Sequence, residues 1–147
     1  MFWVLLLLSK QIDQHVERVK GLGVRMTEQR LVILNELSKV SEPESAYLLK
    51  DKLDKQGYTF NISTIYRVLE FWMEHNVVHK LTSNNTFMIC TDHHADHVHL
   101  LQRCSDCGDV KEQCSTSLGF EFPKIRGFSP DKAQVIELVG HCAQCKR

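Results

Sequence analysis

The chain has 147 residues, of which 43% are hydrophobic and 24% are charged, so it is long enough for one domain or two small ones and has the composition of a globular protein. Its 18 Lys and Arg residues balance 18 Asp and Glu residues, which gives a formal net charge of zero. This balance excludes nucleic-acid binding driven by overall charge, and any such function must depend on the local placement of cations.

The N-terminal segment "MFWVLLLLSK" resembles a targeting signal only superficially. Its apolar run ends at Leu8, far short of the roughly 20 residues that span a bilayer. It also lacks a positive leading segment and a small-residue cleavage site. We therefore expect a cytoplasmic protein without a membrane segment. Residues 1–9 are expected to be either a strand or helix that leads into the domain or extra residues from an upstream start.

Four short helices are predicted in the first part of the chain. The first covers residues 10–20 and ends at the "GLG" of residues 21–23. Thr27, Ser45 and Ser63 are candidate N-caps for the next three, and Gly57 ends the third. The apolar stripes that we expect to be buried are Ile12, Val16 and Val19; Leu31, Leu34 and Leu37; Leu48, Leu49 and Leu53; and Ile65, Val68, Leu69 and Trp72.

After Asn76 the apolar period changes from helical to alternating. The segments "VVHKLT" and "TFMIC" are typical of two strands, and "SNN" between them supplies a hairpin turn. Helices followed by a hairpin predict an N-terminal winged helix-turn-helix domain over residues 1–90. Many small helical domains do not bind DNA, but the added wing favours a DNA-binding function.

A second, α+β unit is predicted over residues 97–147, after a histidine-rich hinge at residues 91–96. "HVHLLQRC", "DVKEQC" and "KAQVIELVGHC" are typical of strands, and "STSLGFEFPKIRG" is expected to contain a helix. A unit of this size buries too little apolar surface to be stable without a staple or a partner.

Two Cys-x-x-Cys pairs supply a candidate staple. Cys104 with Cys107 and Cys142 with Cys145 can surround one Zn²⁺, because the two-residue spacing lets both thiolates of a turn reach the same ion. Disulfides are disfavoured because no export signal is present, and a thioredoxin-type redox motif would need a single pair in a βαβ context. Plain buried thiols are the remaining alternative.

Histidines form a second cluster around the hinge. A solvated histidine-rich loop is the simpler explanation, but here the histidines meet a cysteine and a carboxylate at the joint between the two units. This combination predicts a second metal site. The candidate ligands are His79, Cys90, His93, His94, His97, His99 and Glu112.

The order of these motifs resembles the ferric uptake regulator family of metal-dependent repressors over residues 10–147. The matching segments are "RMTEQRLVIL", "SAYLL", "STIYRVLEF", "VVHKL", the histidine-rich hinge, "CSDCGDVKE" and "CAQC". Within the family, "FMIC" followed by "CSDCGDVKEQC" and "GHCAQC" is most similar to the zinc uptake regulator branch. The resemblance implies a homodimer held by residues 97–147, with two or more Zn²⁺ per chain.

The resemblance also implies the metal ligands. A structural zinc is implied at Cys104, Cys107, Cys142 and Cys145, and a sensing zinc at His79, Cys90, His97 and Glu112. His99 lies on the same strand face as His97 and is an alternative ligand, or forms a further site with His93, His94 and Asp96. The thiolate of Cys90 is a soft ligand that favours zinc over iron. A metal shared by the wing and the second unit would fix the angle between the units and hence the spacing of the recognition helices.

The implied partner is a double-stranded DNA operator, with no small-molecule substrate. The resemblance implies DNA contacts from Tyr47 and Arg67, on a face that also includes Thr64 and Tyr66. Phosphate contacts are expected from Arg25, Arg30, Lys50 and Lys52.

The implied function is a repressor of zinc uptake genes that is active when zinc is bound. Three alternative functions fit the same residues. An iron- or peroxide-sensing repressor of the same family is the nearest. A zinc-dependent enzyme would need an open coordination position and a substrate cleft, and a zinc-stabilised protein-interaction module would show no salt-dependent binding to duplex DNA.

Overall fold

The structure is a computed structural model that describes residues 2–91, 98–131 and 134–146, with side chains described from residue 10 onward. The chain divides into two units, Met1–His93 and His94–Arg147, and each is considered by itself. No helix in the described ranges is both long enough and apolar enough to cross a membrane.

The four predicted helices of the first unit are confirmed; three begin close to the predicted positions, and the first begins earlier. They are α1 (Phe2–Lys20), α2 (Glu28–Ser38), α3 (Ala46–Lys55) and α4 (Ile62–Glu74). The predicted caps of α2 and α3 are confirmed: the Thr27 hydroxyl accepts the Arg30 N–H at 3.3 Å, and the Ser45 hydroxyl accepts the Leu48 N–H at 3.2 Å. Residues 2–9 extend the first helix, which ends before Gly23 in left-handed geometry (φ 79°).

The predicted cap of the fourth helix is wrong. Helix α4 begins at Ile62 and its N-cap residue is Asn61, so Ser63 already lies within the first turn. Phe60 and Ile62 pack against the hydrophobic core. Asparagine is preferred at N-caps as strongly as serine, so the sequence offers two caps two residues apart, and the packing of Phe60 and Ile62 favours the earlier one.

The hydrophobic core of this unit is formed by the stripes of all four helices, with two corrections. The predicted residues that are buried are Val16, Val19, Leu34, Leu37, Leu49, Leu53, Ile65, Val68, Leu69 and Trp72, with Ile12 partly buried against them. Leu31 and Leu48 are instead 39% and 44% exposed, while Ile33 and Ala46 are buried. Both errors fall where consecutive apolar residues leave the phase of the helix ambiguous.

The wing is a three-stranded antiparallel sheet. The predicted hairpin is confirmed as β2 (Val78–Leu81) and β3 (Thr86–Ile89), and Asn85 adopts positive φ in its turn. A two-residue strand, β1 (Glu44–Ser45), pairs with the other side of β3. This short strand has no pattern that the sequence alone could indicate.

The second unit is built on a mixed sheet with the order β5-β4-β6. Its described elements are β4 (Val98–Cys104), β5 (Val110–Cys114), α5 (Ser115–Leu118) and β6 (Gln134–Gly140). The three strands were predicted, whereas the expected helix is a single turn that ends at Gly119 in left-handed geometry. Strands β4 and β5 are antiparallel, but β4 and β6 are parallel, so β4 and β6 end at the same edge of the sheet.

Candidate metal centres and DNA-binding face

The parallel pairing of β4 and β6 brings the two Cys-x-x-Cys segments together. Cys104 is the last residue of β4 and lies opposite Gly140, the last residue of β6. Each strand then enters a tight turn: the Gly108 N–H donates to the Cys104 carbonyl at 3.0 Å, and the Lys146 N–H donates to the Cys142 carbonyl at 2.8 Å. Gly108 takes positive φ, which glycine adopts without strain.

The geometry of the four thiols fits a tetrahedral zinc. The sulfurs of Cys104, Cys107, Cys142 and Cys145 all lie within 4.8 Å of one another. The Cys107 and Cys142 sulfurs are 3.8 Å apart, and a tetrahedron with Zn–S bonds of about 2.3 Å has an edge of about 3.8 Å. None of the chain's six cysteines, all of which lie in described ranges, forms a disulfide.

Hydrogen bonding shifts the pKa values of two thiols in this cluster in opposite directions. Main-chain N–H groups of Cys107 and Cys142 donate to the Cys104 sulfur and lower the pKa of Cys104 to about 6, so this residue is a thiolate at neutral pH. Hydrogen bonds with the Cys142 and Cys107 thiols raise the pKa of Cys145 to about 12. A divalent cation would replace the protons that the other thiols retain. Four thiolates would fill its tetrahedral shell and leave no position for a catalytic water.

The wing contributes one pair of candidate ligands. Cys90 follows β3, and its N–H donates to the Val77 carbonyl at 2.8 Å. Cys90 therefore lies opposite Val77, which is two residues before His79. Because side chains two residues apart on a strand share a face, His79 projects from the same face of the sheet as Cys90. The Cys90 sulfur and a ring nitrogen of His79 lie within 4.8 Å of each other, and both residues are buried.

The second unit contains its own pair of candidate ligands, His99 and Glu112. His99 on β4 lies opposite Cys114 of β5, and Glu112 lies two residues before Cys114. The His99 Nδ1 and a Glu112 carboxylate oxygen are 2.8 Å apart, and both side chains are almost fully buried. Of the two histidines weighed for this position, His99 is therefore paired with Glu112. His97 lies outside the described residues, as do His93, His94 and Asp96.

Sequence reasoning did not identify His15, which contacts one of the wing ligands. Its side chain is 1% exposed, and its Nε2 lies 3.0 Å from the Cys90 carbonyl oxygen. The signal was present in the sequence, because His15 lies at helical spacing from Ile12 and Val19 in an apolar stripe. A histidine in such a stripe needs a buried polar partner.

The predicted DNA-reading residues lie on or beside α4. Arg67 is exposed and Tyr47 is 65% exposed, whereas Thr64 and Tyr66 are half-buried. The ring of Tyr66 packs edge-to-face against Phe87 of the wing, with ring centroids 6.3 Å apart. Arg67 and Tyr47 are thus open to a ligand, while Tyr66 also holds the wing against α4.

The four cations expected to contact phosphates differ in availability. Arg25 is exposed. The Arg30 guanidinium lies 3.6 Å from the centre of the Phe71 ring, and Lys50 pairs with Asp54 on the exposed surface of α3 at 2.6 Å.

Lys52 is ion-paired with Glu44 of β1, whose side chain is only 7% exposed. Arg30 and Lys52 are consequently engaged within the first unit, and their contribution to DNA binding stays a prediction.

The chain is similar to known metal-dependent regulators in both sequence and fold. The sequence model of the Ferric uptake regulator family matches residues 21–135. The zinc uptake regulation protein of Escherichia coli (strain K12) is 35% identical over 129 residues, which cover 84% of this chain and 74% of the relative. That of Mycobacterium tuberculosis (strain H37Rv) is 32% identical over 127 residues, with 84% and 96% covered. A solved zinc uptake regulator complexed with zinc and DNA superimposes with a TM-score of 0.73 at 29% identity, covering 94% of each chain.

Proposed function

Because the chain belongs to the ferric uptake regulator family, we propose that it is a zinc-responsive transcriptional repressor whose zinc-loaded homodimer binds operator DNA and represses zinc uptake genes. It is a cytoplasmic regulator rather than an enzyme, it holds two or more Zn²⁺ per chain, and it has no small-molecule substrate. The two zinc uptake regulation proteins and the zinc- and DNA-bound regulator that resemble it support this proposal.

The observation that carries the proposal is the thiol of Cys90 beside the imidazole of His79. A thiolate with an imidazole is a donor pair that suits zinc, whereas oxygen-rich donor sets suit harder cations. An iron sensor would be expected to have oxygen or nitrogen donors in place of Cys90. The donor chemistry therefore favours zinc over the iron- and peroxide-sensing alternatives.

We infer that the sensing zinc takes ligands from both units. Zinc in proteins generally takes four ligands, and the wing supplies two, Cys90 and His79. The second unit supplies Glu112 together with His97 or His99, of which His99 has the direct contact to Glu112. A zinc that needs both pairs would favour one arrangement of the DNA-binding domain (residues 1–90) relative to the dimerisation domain (residues 97–147), with residues 91–96 as the hinge.

The structural zinc would serve the fold of the dimerisation domain. Cys104, Cys107, Cys142 and Cys145 would hold it and tie the end of β4 to the segment after β6. Apolar side chains of β6 remain exposed in the single chain: Val135 is 41%, Leu138 50% and Val139 54% exposed. Val135 and Val139 share one face of β6 and Leu138 lies on the other. Exposed apolar side chains on an edge strand of this kind support association with a second copy.

DNA recognition would use the open side chains near α4. In our proposal Arg67 donates to a base edge in the major groove and Tyr47 contacts the same duplex. Thr64 and Tyr66 border these residues, and Arg25 and Lys50 contribute phosphate contacts that fix the orientation of the domain.

Zinc content and DNA binding measured on the same sample test the proposal. The duplex probe is one that the zinc-loaded protein enriches from a random-sequence pool. We expect at least two zinc ions per chain, loss of one after mild chelation, and loss of duplex binding in parallel with that ion. Added Zn²⁺ should restore binding. A protein that holds one zinc per chain and binds the duplex equally before and after chelation would refute the proposal.

A further inference from the structure

The structure connects the wing ligand Cys90 to the end of α4 through α1. We propose that His15 and Arg18 of α1 are positioning residues that couple zinc binding at Cys90 to the orientation of α4. This inference rests on the proposed function, since it concerns how the sensing zinc affects DNA binding. All of the contacts involved lie within the first unit.

His15 fixes the main chain of the ligand. A carbonyl oxygen only accepts hydrogen bonds, so the 3.0 Å contact requires the Nε2–H of His15 to donate to the Cys90 carbonyl. The Cys90 N–H is bonded at the same time to the Val77 carbonyl at 2.8 Å. The main chain is therefore held on both sides of the Cys90 side chain. A sulfur on a fixed main chain is restricted to a few rotamers, which pre-organises it for the metal.

Arg18 holds the other end of the connection. Its Nη2 donates to the carbonyl of His75 at 2.7 Å, and His75 is the C-cap residue of α4. The last carbonyls of a helix lack partners within the helix and carry partial negative charge, so a guanidinium is favoured there. The His75 ring donates in turn to the Phe71 carbonyl in the last turn of α4 at 2.8 Å.

The two contacts lie one turn apart on α1, because His15 and Arg18 are separated by three residues. Val16 and Val19 of the same helix are buried in the core, so α1 is anchored to the domain and links the two contacts firmly. Zn²⁺ bound to the Cys90 thiolate would stabilise the arrangement in which these contacts join Cys90, α1 and the C-terminus of α4. The face that carries Arg67 would then be biased by the metal.

The test compares four variants of the full-length protein. His15→Ala removes the contact to Cys90, and His15→Gln replaces it with an amide donor. Arg18→Ala removes the contact to His75. Val16→Ala is the matched control, since it lowers core stability in the same helix without touching either contact.

Three quantities separate a positioning role from a general loss of stability. The first is Zn²⁺ affinity at the sensing site, measured by chelator competition with the structural site loaded. The second is the thiolate-to-metal absorption band after Co²⁺ substitution at that site, which reports the geometry at Cys90. The third is the ratio of DNA affinities with and without zinc at the sensing site, which measures the coupling itself.

We expect His15→Ala to lower sensing-site zinc affinity about tenfold, because the Cys90 main chain is then no longer fixed beforehand and must be ordered when zinc binds. The same variant should alter the Co²⁺ band, and His15→Gln should recover most of both. Arg18→Ala should leave zinc affinity within about threefold of the wild type but lower the zinc-dependent gain in DNA affinity about tenfold. Val16→Ala should change neither the zinc affinity nor the zinc-dependent gain in DNA affinity by more than about threefold.

The inference is overturned if His15→Ala and Arg18→Ala match Val16→Ala in all three quantities, or if His15→Gln is no better than His15→Ala. These outcomes differ from failure of the proposed function, in which the wild type itself binds DNA equally with and without zinc.

Discussion

Replacement of Lys52 by methionine tests whether this cation stabilises the first unit or contacts DNA phosphates. Methionine keeps most of the apolar stem and removes the charge. In the structure the Lys52 amine pairs with Glu44, whose carboxylate is buried and whose second oxygen, Oε2, has no hydrogen-bond partner among the described residues. The substitution therefore leaves a buried carboxylate without its cation.

The expected cost follows from the burial of the two partners. Breaking a fully buried pair by removing one partner costs about 3–5 kcal/mol, whereas exposed pairs contribute about 0–1 kcal/mol. Glu44 is 7% exposed and Lys52 is 31% exposed, so we expect an intermediate loss of about 2 kcal/mol. For a unit of this size each kcal/mol corresponds to about 4–8 °C, so Tm should fall by roughly 8–16 °C.

Thermal unfolding followed by circular dichroism measures this loss, with Glu44→Gln as the partner variant. In the Glu44→Gln background the Lys52→Met cost should fall below about 1 kcal/mol, because no buried charge is then left unpaired. If the ion pair with Glu44 keeps Lys52 from the DNA, the salt dependence of binding to random duplex stays unchanged for Lys52→Met. A Tm within about 2 °C of the wild type, together with a salt slope smaller by about 1, would refute this reasoning and assign Lys52 to a phosphate contact.

Three further predictions concern the structural zinc, the DNA-reading face and a buried carboxylate. Cys142→Ser should lose one zinc per chain by metal analysis and unfold the second unit, because structural zinc binding is coupled to folding. The control Cys114→Ser, outside the four-thiol cluster, should lose no zinc. Equal zinc content in both variants would contradict the assignment. Arg67→Ala should cost about 1–3 kcal/mol in discrimination between the selected duplex and random duplex by gel shift, and undiminished discrimination would exclude Arg67 from base readout. Burial acts to raise the pKa of Glu36, but hydrogen bonds from its Lys39 and Gln56 partners, with the charges of Lys39 and Lys52, lower it overall. Glu36→Gln should therefore cost about 1–3 kcal/mol at pH 7, and the difference from the wild type should be complete above pH 4.5 and shrink as pH falls below it. A difference that grows in acid would contradict the lowered pKa.

Local features of the fold were predictable from sequence because their physics is local. The caps Thr27 and Ser45 act on N–H groups within three residues, and the turn at Asn85 needs only residues that tolerate positive φ. Ser63 failed as a cap because the tertiary packing of Phe60 and Ile62 fixes the start of α4. Asn61 and Ser63 are both favourable N-cap residues, so the choice between them depends on that packing.

The metal centres likewise combine a feature that depends on local sequence with features that depend on tertiary contacts. The four-thiol cluster was predictable because each Cys-x-x-Cys turn is a local unit and zinc requires four ligands. The pairing of His99 with Glu112 depends on the register of β4 against β5, and a one-residue shift in register would turn His99 to the other face. The contact between His15 and Cys90 joins residues 75 positions apart, so the sequence marks His15 as unusual but does not identify its partner.

The most direct test of the central claim is a titration of DNA binding with two metals in parallel. Wild-type protein with its structural zinc loaded is titrated with Zn²⁺ and, under anaerobic reducing conditions, with Fe²⁺, and binding to the selected duplex is measured by fluorescence anisotropy. The Cys90→Ser variant is titrated with both metals in the same way. We predict that Zn²⁺ activates the wild type at far lower free concentration than Fe²⁺, and that Cys90→Ser requires far more Zn²⁺ while its Tm changes little. Activation by Fe²⁺ at lower concentration than Zn²⁺, or an unchanged zinc requirement in Cys90→Ser, would contradict the account.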